Sequence, residues 1–110
     1  MIHVKNLTKF YYSTGEVAEM FGVKPSLLRY YEAEFSFFQP EKRHGERRFT
    51  VKDIEDFALL LHLIKERGFT LEGAAKEFKT QQVKSRQKAR VLNKLTRLRD
   101  KLVRMRDELK

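Results

Sequence analysis

The 110-residue sequence predicts a mainly α-helical fold, in which helix, helix, β-hairpin, helix and helix form one small domain and a long coiled-coil helix follows. Two helix starts are written as capping boxes, Ser13 with Glu16 and Thr50 with Asp53, in which each side chain satisfies a backbone donor of the other residue. Between them the segment FFQPEKRHGERRFT carries a Pro, a Gly and no helical period. Near the end, Val91, Leu95, Leu98, Leu102, Met105 and Leu109 recur at steps of four and three, the seam of a coiled coil.

The first helix begins near Thr14, turns Val17, Ala18 and Phe21 inward, and ends at Gly22, which suits a left-handed C-terminal cap. Val23 returns the chain to the core. Pro25 fits the first position of a second helix, along which Leu27, Leu28, Tyr31 and Phe35 fall at helical spacing, although Lys24 is a poor cap for it. From Phe37 to Thr50 two short strands join around His44 and Gly45. The third helix buries a stripe of Ile54, Phe57, Ala58, Leu61 and Ile64 and stops at Gly68. Thr70 caps a short fourth helix with Leu71, Ala74, Ala75 and Phe78 inward. The core is then Val17, Phe21, Leu28, Phe57, Leu61 and Phe78, in a domain over residues 12–80. An N-terminal extension over 1–11 precedes it and a coiled-coil dimerisation helix over 81–110 follows.

Composition narrows the function. A chain of this length builds a modest core and leaves little room for a deep catalytic cleft. The absence of Cys removes disulfides, zinc knuckles and thiol switches, and His3, His44 and His62 are too scattered for a metal site, so no metal and no cofactor is expected. Glu16, Glu19, Glu32 and Glu34 fall on exposed helix positions beside cations, where helix solubility explains them better than acid–base work, and no enzyme is expected. No apolar run suggests a signal peptide or a membrane span, which predicts a cytoplasmic protein without a membrane partner. The 24 basic and 15 acidic residues give a net charge of +9, unevenly spread. Residues 83–110 hold 11 basic and 3 acidic side chains, a net +8, which leaves 13 and 12, a net +1, for residues 1–82.

The segment STGEVAEMFGVKPSLLRYYE has the pattern of a helix-turn-helix, with small Ala18 where the helices touch and Gly22 in the turn. An ordinary helical corner shares that internal pattern. The outward residues argue further: Lys24, Ser26, Arg29 and Tyr30 lie at the start and on the exposed side of the second helix, suited to a major groove. Lys42, Arg43, Arg47 and Arg48 follow around the hairpin turn, four cations against Glu41 and Glu46, suited to phosphates beside the groove. The reading is a winged helix-turn-helix, and its expected partner is double-stranded promoter or operator DNA.

The motifs GEVAEMFGV, LLRYYE, HGERRFT and IKERGFTLEGA, in that order over about residues 12–79, resemble the mercury-resistance regulator (MerR) family of bacterial transcription regulators. The resemblance implies a second wing around Arg67, Gly68 and Phe69, an antiparallel homodimer through the last helix, and control of transcription by distorting promoter DNA, which engages RNA polymerase only indirectly. It also implies that Arg29 and Tyr30 lie on the recognition helix, that Arg47 is the wing arginine touching the DNA backbone, and that the protein is nucleoid-associated. Glu46 stands where the family usually has an aromatic, and an acid there is expected to point away from phosphate. The family's Cys sensors are missing, and the sequence ends where an effector-binding domain would begin, so a short form without an inducer is expected.

Charge alone also orients the coiled coil. A parallel pair would set Lys94 and Lys101 against Arg99 and Arg106 of the other helix, whereas an antiparallel pair brings Glu108 opposite these lysines. Two other functions remain open at this point: an architectural or excision-type DNA binder, and a coiled-coil protein-interaction module with incidental basic charge.

Overall fold

The Ser13 hydroxyl accepts from the backbone N–H of Glu16 while the Glu16 carboxylate accepts from that of Ser13, and this closed capping box starts α1 (Thr14–Phe21). The computed structural model describes residues 9–109, so residues 1–8 of the expected N-terminal extension, His3 among them, and Lys110 lie outside the described residues. Gly22, at φ 64°, closes α1 in the left-handed conformation that costs a side chain, and the Val23 N–H bonds back to the Ala18 carbonyl. After this turn comes α2 (Pro25–Glu34), where Lys24 stands at the cap without a side-chain bond. The Gln39 amide reaches back to the carbonyls of Glu32 and Phe35, at 2.6 and 3.1 Å, and fixes how the chain leaves α2.

Strands β1 (Glu41–Arg43) and β2 (Glu46–Arg48) pair antiparallel, with Glu41 opposite Arg48, Lys42 opposite Arg47 and Arg43 opposite Glu46. His44 and Gly45, both at positive φ (52° and 79°), form the two-residue turn, the backbone twist that a tight hairpin requires. Beyond β2, Tyr12 and Phe49 exchange backbone hydrogen bonds of 2.9 and 2.8 Å, an isolated bridge that ties the residue before the Ser13 cap to the end of the hairpin.

Thr50 and Asp53 form the second capping box, at the head of α3 (Val51–Leu61). A π-helical turn, His62–Glu66, continues α3 and is followed by Gly68 at φ 71°. Thr70 then accepts from the Gly73 N–H and caps α4 (Leu71–Glu108). The core is largely aromatic, and Phe57 of α3 is its hub. The Phe57 ring meets Phe21 edge-on at 5.1 Å, Tyr31 at 5.6 Å and stacked Phe38 at 6.0 Å; Phe38 in turn lies 6.2 Å from Phe49. Helices α1, α2 and α3 and the segment leading to the hairpin are thereby joined through one side chain, each ring pair adding about 0.5–1.5 kcal/mol beyond simple burial.

The structure corrects several expectations. Along α3 and the π turn the buried apolar residues are Ile54, Phe57, Leu60 and Leu63, whereas Ala58, Leu61 and Ile64 are half-buried. Steps of three trace a ridge oblique to the helix axis, and it is this row, not the straight stripe, that the packing covers. Phe21 is likewise half-buried, and the core is completed by Tyr12, Phe38 and Phe49. The fourth helix is not short. It runs unbroken for 38 residues through Thr80 into the predicted coiled coil, because the polar stretch KTQQVKSRQKAR holds no Gly or Pro to stop it. Glu32, expected on an exposed position, is buried.

The chain divides into two compact units within α4, one up to Ala75 and one from Lys76. In α4, Ala74 and Phe78 are buried. From Val83 onward every residue that the structure describes is exposed.

Candidate nucleic-acid interface

Helix α2 divides its surface sharply. Leu28 and Tyr31 are buried, while Ser26, Arg29 and Tyr30 share the opposite, exposed side, with Lys24 exposed just before the helix. The sequence-predicted recognition set is thus brought together on one face. It is a polar and cationic face with one aromatic ring, able to donate hydrogen bonds to base edges or phosphates.

The hairpin is electrostatically different from its sequence reading, which counted four cations against two acids. Successive residues point to alternate faces, so Lys42 and Arg47 share one face and Glu41, Arg43, Glu46 and Arg48 share the other. The second set pairs opposite charges across the strands, and Arg43 also approaches Glu41 at 3.6 Å. Lys42 and Arg47 oppose each other, and both turn to Glu32 of α2: Arg47 Nε lies 2.5 Å from Glu32 Oε2 and Lys42 Nζ 3.4 Å from Glu32 Oε1. A third acid therefore belongs to the wing. Arg47, expected to touch the DNA backbone, has its Nε–H committed to this carboxylate and is only 25% exposed. Arg48 lies over the ring of Tyr11 at 5.6 Å.

The expected second wing falls on the turn that follows α3. The π turn closes with the Arg67 N–H on the His62 carbonyl, Gly68 reverses the chain, and the Phe69 N–H bonds to Leu63. Arg67 is exposed and its guanidinium rests 5.1 Å above the Phe69 ring, which holds a cation outward at the tip.

Five of the seam residues, Val91, Leu95, Leu98, Leu102 and Met105, stand on α4 and are each half exposed, and Leu109, just past its end, is more so. They form an apolar row without cover. Among the described residues there is no cluster of His, Asp and Glu suited to a metal, and no helix long and apolar enough to cross a membrane.

Glu32 was not among the residues expected at the site. A signal was present: a hairpin turning at His44–Gly45 sets Lys42 against Arg47, a like-charge pair that calls for an acid from elsewhere. Tyr12 was missed as a strand residue because a single pair of backbone bonds leaves no periodic trace.

Three comparisons bear on identity. The family model described as "MerR HTH family regulatory protein" matches residues 12–81. A curated relative, "Regulator protein TubY" of Clostridium botulinum C phage, is 31% identical over 83 residues, which cover 74% of this chain and 35% of that protein, so the chain spans about a third of its relative's length. Among solved structures, the chain resembles HiNmlR, a MerR family regulator lacking the sensor domain, in a crystal structure bound to promoter DNA. That likeness has a TM-score of 0.53 and 23% identity, over 90% of this chain and 87% of the other, and it concerns the fold. With its two capping boxes, charged hairpin and Gly68 turn all inside the 70-residue match, the chain belongs to the MerR family of helix-turn-helix regulatory proteins.

Proposed function

We propose that this protein is a sequence-specific, double-stranded DNA-binding transcription regulator that acts as a homodimer and distorts promoter DNA. The observation that carries the reading is α2: Ser26, Arg29 and Tyr30 are exposed on one face, and the wing is fastened to the same helix through Glu32. In this reading Lys24, Ser26, Arg29 and Tyr30 enter the major groove, while Arg43, Arg48 and Arg67 take phosphates on either side. Lys42 and Arg47 contribute through the wing's position. The relatives, a phage regulator protein and a MerR family regulator bound to promoter DNA, favour this reading over an architectural one. RNA polymerase is engaged only indirectly, through the shape of the promoter, and the site of action is the nucleoid.

The homodimer is the cover for the α4 seam. Its steps of four, three, four, three and four read the same from either end, so an antiparallel second copy pairs Val91 with Leu109, Leu95 with Met105 and Leu98 with Leu102. Lys94 then faces Glu108 twice per dimer. Arg99 and Lys101 each face their own copy, a smaller repulsion than the Lys–Arg contacts of a parallel pair, each of which occurs twice.

Selection from a randomised duplex pool tests the reading. The full chain should enrich one roughly palindromic site, and Arg29→Ala should weaken binding to that site by about 1–3 kcal/mol if Arg29 reads a base. Enrichment of no sequence would sink the proposal.

A further inference from the structure

Lys42 and Arg47 sit opposite each other on one face of the hairpin, where two like charges repel. Both reach a single carboxylate, that of Glu32, which is only 8% exposed. The other face of the hairpin is balanced already, since Glu41 opposes Arg48 and Glu46 opposes Arg43. Glu32 supplies the one acid that the wing's own strands lack. It does so from α2, three residues after Arg29 and two after Tyr30, so the wing is tied to the helix that presents the candidate base-reading side chains. Gln39 holds the connecting backbone at the same end of the helix.

We infer that Glu32 is a positioning residue for DNA recognition: it locks the wing to α2 and withholds Lys42 and Arg47 from phosphates on arbitrary DNA. The inference rests on the DNA-binding reading given above. With the carboxylate in place, helix and wing meet a duplex as one rigid shape, and only a groove that accepts both together is bound well. Without it, two cations are set free to find phosphates on any sequence, and the wing's place beside Arg29 is no longer defined. Sequence preference falls while affinity for unrelated DNA rises. A variant that merely damages the fold would lose both.

The test compares the full-length chain with Glu32→Gln and with Arg47→Lys, which keeps the charge but lacks the Nε–H donor. Without DNA, the Arg47 Nε–H resonance should be protected from water exchange in the wild type and exchange at least about tenfold faster in Glu32→Gln, since its acceptor has lost its charge. With DNA, two duplexes are titrated over a range of salt: one recovered from a randomised pool by the wild type, and one of scrambled sequence. For Glu32→Gln, binding to the scrambled duplex should tighten and its log–log salt slope steepen by about 1–2 per protomer. The preference for the recovered duplex should fall several-fold. Arg47→Lys should lose preference with an unchanged slope, and this variant decides the matter if Glu32→Gln fails to fold. Equal losses on both duplexes with an unchanged slope would overturn the inference. So would an Arg47 Nε–H that stays protected in Glu32→Gln, and this second outcome is readable even if the wild type binds neither duplex, in which case it is the DNA-binding reading that fails.

Discussion

The front of the chain and its last helix treat apolar side chains in opposite ways. Up to Ala75, Val17, Leu28, Tyr31, Phe38, Phe49, Ile54, Phe57, Leu60 and Leu63 are almost wholly buried, and charge is nearly balanced over residues 1–82. Past Val83, the seam from Val91 to Leu109 is exposed, on a stretch that carries 11 basic against 3 acidic residues. Burial of a large apolar side chain is worth about 1.5–3 kcal/mol, and the front realises that gain within one chain. The tail has the same kind of residues and no cover for them. One region buries its apolar residues within the chain, and the other leaves them exposed, where the proposed dimer would cover them.

The sharpest way to break that contrast is at the aromatic hub. Phe57→Ala removes the ring shared by Phe21, Tyr31 and Phe38 and should destabilise the front by about 3–5 kcal/mol, seen in urea melts followed by near-UV circular dichroism. If the two regions are independent in this sense, light scattering should still report a dimer. A monomer would show that association depends on the folded front.

The converse change is Leu98→Lys, which puts a charge into the proposed pairing with Leu102. The front's urea midpoint should stay within error, since Leu98 is 53% exposed, while the protein becomes monomeric. Affinity for a two-half-site duplex should drop by about 100-fold or more, because the second half-site is no longer presented at high local concentration. Persistence of the dimer would place the interface away from the seam.

Tyr31→Phe sharpens the picture of the core. The Tyr31 hydroxyl is the one buried side-chain polar atom without a hydrogen-bond partner among the described residues, and burial also pushes its phenol pKa upward. Its removal should stabilise the domain by about 1 kcal/mol. A loss of similar size would reveal a partner that the hydroxyl depends on.

The smallest effect concerns pH. Burial raises the Asp56 carboxyl above its ordinary value, and the ion pair with exposed Lys52 only partly offsets this. The folded state therefore binds that proton more tightly than the unfolded chain does. The contribution is fully present below the unfolded pKa and is lost as pH rises through the folded one, so ionised Asp56 costs stability at neutral pH. Asp56→Asn should remove this slope just above the ordinary carboxylate range and leave the protein as stable or more stable at pH 7, by less than about 1.5 kcal/mol. A less stable variant would mean that the Lys52 pair outweighs desolvation.

Much of this was legible in the chain itself, for a local reason. Capping boxes at Ser13 and Thr50, the turn at His44–Gly45, left-handed Gly22 and Gly68 and the heptad seam are each decided by a few neighbouring residues, whose spacing states the backbone geometry directly. The exposed set Ser26, Arg29 and Tyr30 follows from one helical period. Tertiary packing decided what depends on residues far apart in sequence. Which row of α3 and its π turn faces inward was decided by packing against distant residues such as Phe21, Tyr31 and Phe38 on Phe57, and burial fell on Leu60 and Leu63 instead of Leu61 and Ile64. Glu32 reads as a solvated helix carboxylate until Lys42 and Arg47, ten and fifteen positions later, fold back over it. Charge in a sequence is only a count, and whether a cation is free to meet another molecule depends on which acid the fold has already set beside it.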